Sequence, residues 1–178
     1  MQKTGVTLEE FVEYVSLPEN EERRFELIDG EIVEMAPGRT KNSSYGDILV
    51  FRVHLFCYER SMPCYTTSGD GDYEIQGHIV APDFSFKPTP MSDVYPDPEP
   101  PLWAVEIISP TEKGINIRNK RKIYLEAGIL YWEIYPEKQS IDVYEPGKPV
   151  HTVDINGTLD GGDVLPGFTL AVRDIFAE

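Results

Sequence analysis

The sequence has few of the residues that bind zinc or act as activated nucleophiles. It contains two cysteines and three histidines among 178 residues. Cys57 and Cys64 form no CxxC motif, and His54, His78 and His151 are scattered without HExxH spacing. Zinc sites in proteins need several such ligands at short, regular spacing. We therefore expect two free thiols, three structural or exposed histidines and no structural zinc site.

Long apolar runs are also missing. No run of about 18 apolar residues occurs, which is the length that a membrane-spanning helix requires. The N-terminus, "MQKTGVTLEE", lacks a basic segment followed by an apolar one, so it does not resemble a secretory signal. The sequence thus predicts a cytoplasmic protein without a membrane span. Its length, with 40% hydrophobic residues, predicts one globular domain over residues 1–178.

Basic residues are scarce, with 16 lysines and arginines against 31 acidic residues and a net charge of −15. This charge argues against non-specific binding to nucleic acid, which requires lysines and arginines to neutralise phosphates. The charge is uneven along the chain. Residues 1–35 are strongly acidic, whereas residues 111–124 carry a local charge of +4 from Lys113, Arg118, Lys120, Arg121 and Lys122 against Glu112.

Periodicity and turn residues predict the N-terminal elements. A capping box at Thr7 and Glu10 precedes an amphipathic pattern, so a helix should run from about Leu8 to Val15. Asp29-Gly30 between apolar runs predicts a hairpin over residues 24–35, with Glu26 across from Val33. Next we expect a helix from about Ser44 to Arg60, two or three antiparallel strands over residues 64–86, and an extended loop over the six prolines of residues 87–101.

The C-terminal half alternates strands and one helix. A strand in "LWAVEII" is followed by a helix whose first turn starts at "SPTE" and whose end is marked by Gly128. Strands are then expected over residues 129–135 and in "SIDVYEP" and "PVHTVDI", followed by a glycine-rich turn in "NGTLDGGD". The tail should pack four side chains on the core: Leu165, Phe168, Leu170 and Phe176.

One acid stands inside an apolar strand. Alternation places Glu106 on the same face as Ala104 and Ile108, where an ionised carboxylate is costly unless it is paired or binds a metal. An ion pair with Lys120 or Arg118 would satisfy it. The alternative is a metal, because Asp83 lies at the preceding strand, and two carboxylates on neighbouring strands suit Mg²⁺.

Five segments in order carry a resemblance to a known family. They are "FELIDGEIVEMAPG", "APDFSF", "AVEIISP", "KRKIYLEAGILYWEIYP" and "LPGFTL", and they resemble the Uma2 (DUF820) family, a branch of the PD-(D/E)XK nuclease superfamily. The similarity spans about residues 20–177. It implies an α/β, restriction-endonuclease-like αβββαβ core with a mixed sheet, extended by an N-terminal helix and hairpin and by C-terminal strands. It also implies an Mg²⁺-dependent (or Mn²⁺-dependent) DNA endonuclease that acts as a homodimer, using the exposed hairpin or terminal strands.

The resemblance also assigns candidate residues. Pro82-Asp83 matches the "PD" and Glu106 the "(D/E)", as ligands of the metal. The lysine expected two residues after the acid is Ile108 here, so the amine would come from Lys120 on the following helix, or from Lys122 if the register differs. Glu26 is the candidate for a further acid in the site.

Two rival functions are compatible with the sequence. The first is a non-catalytic interaction or structural module that retains the nuclease fold, which the negative charge and the missing strand lysine favour. In that module Glu106 should pair directly with a basic side chain. The second is a small-ligand or peptide-binding protein that uses the proline-rich loop, and no motif supports it. The sequence does not distinguish DNA from RNA as the substrate.

Overall fold

The chain is built around a six-stranded sheet. The computed structural model describes residues 5–110 and 114–177. The α-helices of that part are α1 (Leu8–Val15), α2 (Thr40–Glu59), α3 (Gly114–Glu126) and α4 (Val172–Ile175). The strands are β1 (Phe25–Ile28), β2 (Glu31–Glu34), β3 (Tyr65–Thr67), β4 (Tyr73–Ile75), β5 (His78–Val80), β6 (Phe84–Lys87), β7 (Trp103–Ile107), β8 (Leu130–Tyr135), β9 (Ser140–Tyr144), β10 (His151–Val153), β11 (Thr158–Gly161) and β12 (Leu165–Ala171).

The main sheet has the order β10-β9-β8-β7-β6-β3 and is mixed. Strands β7 and β8 are parallel because helix α3 crosses between them, and the other neighbours are antiparallel. Reading α2, β3, β6, β7, α3 and β8 along the chain gives the predicted αβββαβ order. The predicted α/β fold with an added N-terminal helix and hairpin is thus confirmed.

A second sheet joins the N-terminal hairpin, β1 and β2, to the hairpin of β4 and β5, which lies between β3 and β6 in the chain. It has the order β2-β1-β5-β4. The two or three strands predicted for residues 64–86 are therefore four, shared between two sheets. The β1–β2 turn forms as predicted, with Asp29 at φ 52° and Gly30 at φ 76°, and Glu26 lies opposite Val33.

Helix boundaries were predicted with mixed success. The capping box of Thr7 and Glu10 forms, and α1 has the predicted bounds. Helix α2 begins at Thr40 rather than Ser44, because its first turn is polar and carries none of the apolar periodicity used to predict it. Helix α3 ends before Gly128, which has φ +71°, as expected. Part of its predicted first turn, residues 111–113, lies outside the described residues.

The segment "NGTLDGGD" was predicted as a turn, and this is wrong for its centre. Residues Thr158–Gly161 form β11, which pairs with β12. The burial of β11 alternates, with Leu159 and Gly161 buried and the other two residues exposed. The glycines and aspartates around this short strand hid a period of two that spans only four residues.

Both faces of the main sheet are covered. On one face Trp103, Val105 and Trp132 pack against α2 and the C-terminal segment, where Leu165, Phe168 and Leu170 are buried and Phe176 is partly buried. On the other face Ala104 and Tyr131 pack against α3. Every residue of β7 is consequently buried. The side chain of Glu106, which alternates with those of Val105 and Ile107, lies on the α3 face.

The remaining sequence predictions concern single residues and membrane spans. Cys57 and Cys64 are free, and burial raises the pKa of the Cys64 thiol to about 12. His54 and His78 make hydrogen bonds to Thr66 and to the backbone N–H of Asp29, while His151 is exposed. Within the described part of the chain, no helix is both long enough and apolar enough to cross a membrane.

We predict that Gly30→Ala destabilises the protein more than Gly147→Ala. Both glycines have φ near +75°, so alanine is strained at either position by about 1–3 kcal/mol. A Cβ at Gly30 would also lie 2.8 Å from the Cα of Gly5, whereas nothing lies within 4 Å of one at Gly147. Urea unfolding of the two variants measures the difference, and equal losses would contradict the close approach of Gly5.

Candidate active site

Asp83 immediately precedes β6, Glu106 lies in the adjacent strand β7, and both face the same side of the main sheet. Phe84 pairs with Val105 in antiparallel register, so Asp83, one residue earlier, stands across from Glu106, one residue later. The Oδ2 atom of Asp83 accepts a hydrogen bond of 2.6 Å from the backbone N–H of Ile107. The two acids are therefore neighbours in space, as the sequence analysis required.

Lys120 points from α3 into this pair of acids. Its Nζ atom lies 2.7 Å from Oε1 of Glu106 and 2.9 Å from Oε1 of Glu26. It also donates a hydrogen bond of 3.3 Å to the carbonyl oxygen of Ala81. The residue is 4% exposed. Because burial removes the water around this ammonium, the neighbouring carboxylates must stabilise its charge instead.

The hairpin brings a third acid to the same place. Glu26 lies in β1, is 4% exposed, and accepts a hydrogen bond of 3.0 Å from the backbone N–H of Ala81. The peptide groups of Ala81 therefore contact both Glu26 and Lys120, just before Pro82-Asp83. The structure brings together all four candidates that the sequence singled out: Glu26, Asp83, Glu106 and Lys120.

Tyr124 was not predicted as part of this site. Its hydroxyl donates a hydrogen bond of 2.9 Å to Oε1 of Glu106. Tyr124 is four residues after Lys120, which puts both side chains on one face of α3. The spacing was visible in the sequence, but only as a helical stripe of the core. Glu106 thus receives two donors from a single helix.

The four candidate residues from the sequence line a cavity of about 690 Å³: Glu26, Asp83, Glu106 and Lys120. Its walls come from β2, the segment that links it to α2, the first turns of α2 and the loop at Ser68-Gly69. The acidic side chains of the lining are Glu26, Glu34, Asp47, Asp83 and Glu106, and its basic side chains are Arg39 and Lys120. Arg39 was not singled out from the sequence, because "APGRTKNSS" was read as a polar loop, and Asp47 was not singled out within the predicted helix that follows.

The electrostatics follow from three carboxylates surrounding one amine. Burial raises the pKa of Asp83, although Lys120 opposes this. Burial, together with Asp83 and Glu26, raises the pKa of Glu106 well above its usual value. Burial lowers the pKa of Lys120, but the three carboxylates outweigh it, so the net shift is upward. With all four groups ionised the cluster carries −2, the charge that one divalent cation would neutralise.

The donor set fits a hard divalent cation with few protein ligands. Within residues 5–110 and 114–177, no three His, Cys, Asp or Glu side chains form a ready-made metal cage. Mg²⁺ commonly binds one or two carboxylates and keeps several waters, so the pair Asp83 and Glu106 in an open cavity suffices. The softer donors that zinc prefers are not among the residues that line the cavity.

The sequence matches the model of the Uma2 family, described as "Putative restriction endonuclease", over residues 9–173. The chain belongs to the Uma2 family. No curated protein matches it. A solved structure that resembles it is titled "Crystal structure of a putative nuclease belonging to DUF820 from Anabaena variabilis ATCC 29413", with 22% identity, 96% of this chain and 97% of that chain covered, and a TM-score of 0.81. That likeness supports the fold.

In this Uma2 chain three members of the basic cluster have different surroundings: Lys120 is buried, Arg121 is partly buried and Lys122 is exposed. Arg121 makes two hydrogen bonds of 2.7 Å to the carboxylate of Glu133. Lys122, the alternative candidate for the catalytic amine, is exposed, with its Nζ 3.9 Å from Glu126. It does not line the cavity. The geometry therefore favours Lys120 over Lys122 as the amine of the site.

Glu133 is a second buried acid that the sequence analysis missed. It lies next to Glu106 in the parallel register of β7 and β8 and is fully buried. The hydroxyl of Tyr135 donates a further hydrogen bond of 2.7 Å to it. The signal was the one already noticed for Glu106, an acid inside an apolar strand, here "LYWEIY". Consecutive residues of α3, Lys120 and Arg121, thus pair with acids on neighbouring strands.

We predict that Arg121→Met costs about 3–5 kcal/mol of unfolding free energy, because it leaves Glu133 charged, buried and without its cation. Lys122→Met is the matched control on the same helix. It should change stability by at most about 1 kcal/mol, since its ion pair is exposed. Urea unfolding measures both values. Similar small losses in both variants would show that Arg121 does not anchor α3.

Proposed function

We propose that the protein is an Mg²⁺-dependent (or Mn²⁺-dependent) DNA endonuclease of the PD-(D/E)XK type. The single observation that carries the proposal is the convergence of Asp83, Glu106 and Lys120 in one cavity. Membership of a family described as restriction endonucleases supports the reaction class. The substrate bond would be a phosphodiester, cleaved by water.

In this proposal Asp83 and Glu106 hold the cation. When bound, the cation supplies charge that polarises the phosphate and lowers the pKa of an attacking water. The carboxylates lie on a rigid sheet, which fixes their separation. The hydrogen bond from Ile107 N–H orients Asp83, and the one from Tyr124 orients Glu106. Glu26 stays outside the ligand pair, held by the backbone of Ala81.

In this proposal Lys120 has two successive roles. Before a cation arrives, its ammonium compensates Glu106 and Glu26. With Asp83 and Glu106 holding a cation, the Lys120 ammonium would be able to turn toward the phosphate, where it would orient water or offset negative charge in the transition state. Lys120 enters from α3, on the same side of the sheet as Glu106. Lys120 would thereby take the place of the lysine that the superfamily pattern expects at position 108.

The first test is cleavage of plasmid DNA with and without Mg²⁺. Asp83→Asn and Glu106→Gln should each lower the rate about 1000-fold or more, because the cation contributes several kcal/mol of transition-state stabilisation. Asp142→Asn is the matched control. This acid lies on β9, across from Glu133, and does not line the cavity. It should leave cleavage unchanged.

Two results would contradict the proposal. One is that neither plasmid nor oligonucleotide is cut under any divalent cation. The other is that Asp83→Asn cuts as fast as the wild type. Circular dichroism and urea unfolding of each variant show whether a loss of activity is a loss of folding.

A non-catalytic module is the second candidate function. The direct pairing of Glu106 with Lys120 favours it, since that is the contact expected when Glu106 is structural. The net charge of −15 favours it as well. The two candidates differ in what the cluster does when Mg²⁺ is added.

Thermal unfolding in Mg²⁺ separates these candidates. For the enzyme, Mg²⁺ at about 100 times its Kd should stabilise the wild type by about 2.7 kcal/mol, and Glu106→Gln should abolish this gain. For the module, Mg²⁺ should have no specific effect, and Glu106→Gln should only change the baseline stability. A gain that persists in both Asp83→Asn and Glu106→Gln would place the cation elsewhere.

The homodimer, the DNA substrate and the cytoplasmic location stay predictions. Strand β2 of the hairpin is at one edge of its sheet, so the surface first considered for the dimer has an open edge. Light scattering tests the dimer.

A further inference from the structure

The cavity and the pairing of basic side chains together indicate which form of DNA this site takes. We propose that the substrate is a single-stranded segment, engaged through few phosphates, rather than a continuous duplex. This inference rests on the proposed phosphodiesterase function. It goes beyond that function by specifying the form of the DNA, and three observations carry it.

The first observation is depth. Glu106, Glu26 and Lys120 are 4–6% exposed and line the cavity, so a phosphate must enter the cavity to reach them. A volume of about 690 Å³ is in the range of pockets that enclose one drug-sized molecule. A short single-stranded segment is on that scale. A base-paired duplex is stiffer and wider than such a segment, so its backbone enters a cavity of this size less readily.

The second observation is the charge of the walls. Five acidic side chains line the cavity against Arg39 and Lys120, and Lys120 is already paired with Glu106 and Glu26. Among the described residues no carboxylate pairs with Arg39, so it is able to contact a phosphate without first losing an ion pair, whereas Lys120 would have to leave Glu106 and Glu26. The cavity walls therefore provide basic side chains for only one or two phosphates.

The third observation concerns the rest of the surface. Within the described residues, at least nine lysines and arginines form ion pairs with carboxylates of the same chain: Arg23, Arg24, Arg52, Arg60, Lys87, Lys120, Arg121, Lys122 and Lys148. Proteins that track a duplex release counterions by neutralising many phosphates with such residues. Here most of the basic side chains would have to give up an acidic partner first.

The test compares one labelled strand in three forms: linear and single-stranded, circular and single-stranded, and in a blunt duplex. With Mg²⁺, both single-stranded forms should be cut on the order of 100-fold faster than the duplex, because a flexible strand enters the cavity more readily than a stiff duplex. Fluorescence anisotropy, with and without Mg²⁺, should show the same order of affinity. The circular strand shows that a strand end is not required.

Salt dependence gives an independent measurement. The logarithm of kcat/KM for the single strand should fall with the logarithm of salt concentration at a slope no steeper than about −1.5, since each contacted phosphate contributes about −0.7. Arg39→Gln should make this slope shallower by about 0.7. Arg52→Gln is the matched control, because Arg52 lies on α2, the helix that Arg39 immediately precedes, but pairs with Asp174 and does not line the cavity. It should not change the slope.

The outcomes separate this inference from the proposed function. Mg²⁺-dependent cutting of the duplex at the rate of the single strand, or a slope of about −5 or steeper, would overturn the single-strand inference and leave the nuclease intact. Cutting of the linear but not the circular strand would also overturn it, since an end would then be needed. If no form is cut with any divalent cation, the nuclease proposal fails and takes this inference with it.

Discussion

The ammonium of Lys120 among three carboxylates is the interaction on which the described site depends. Burying any one of these carboxylates in its charged form would cost free energy. The Lys120 ammonium offsets part of that cost and allows the carboxylates to lie close together. The cost is offset only incompletely, because three acids face one base. The proposed cation site would use this surplus of negative charge, whereas an ion pair that serves packing alone has no need of a third acid.

Helix α3 holds the site because it contacts the sheet through charge as well as apolar packing. Ile123 and Tyr124 pack on the face of β7 and β8, while Lys120 and Arg121 reach acids in the same two strands. Apolar packing permits small shifts along or around a helix axis, whereas a two-bond guanidinium contact permits few. The pair of Arg121 with Glu133 therefore fixes the orientation of α3 and, through it, the position at which Lys120 meets Glu106.

The sequence predicted the strands and helices that repeat an apolar period, and it failed where that period is short or absent. The capping box, the Asp29-Gly30 turn and the stop at Gly128 are local signals, and each formed. The polar first turn of α2 and the four-residue strand at Thr158 carry no such signal. Glu106 was found because an acid in an apolar strand requires a partner, whereas Asp83 and Glu26 were assigned through the family resemblance. Glu133 obeys the same rule and was overlooked, and Tyr124 was hidden because a buried tyrosine looks like core until its hydroxyl has an acceptor.

The amine of this site comes from Lys120 on α3, not from position 108 on the strand, although both positions lie near Glu106. Residue 108 would point to the same side of the sheet as Glu106, but it is a buried isoleucine whose backbone N–H pairs with β8. A lysine there would lie close to the carboxylate on a rigid strand. Lys120 approaches from α3 on a long side chain with several rotatable bonds. In the proposed mechanism it would exchange Glu106 for the phosphate by side-chain rotation, which a strand lysine, fixed beside the acid, would do less easily.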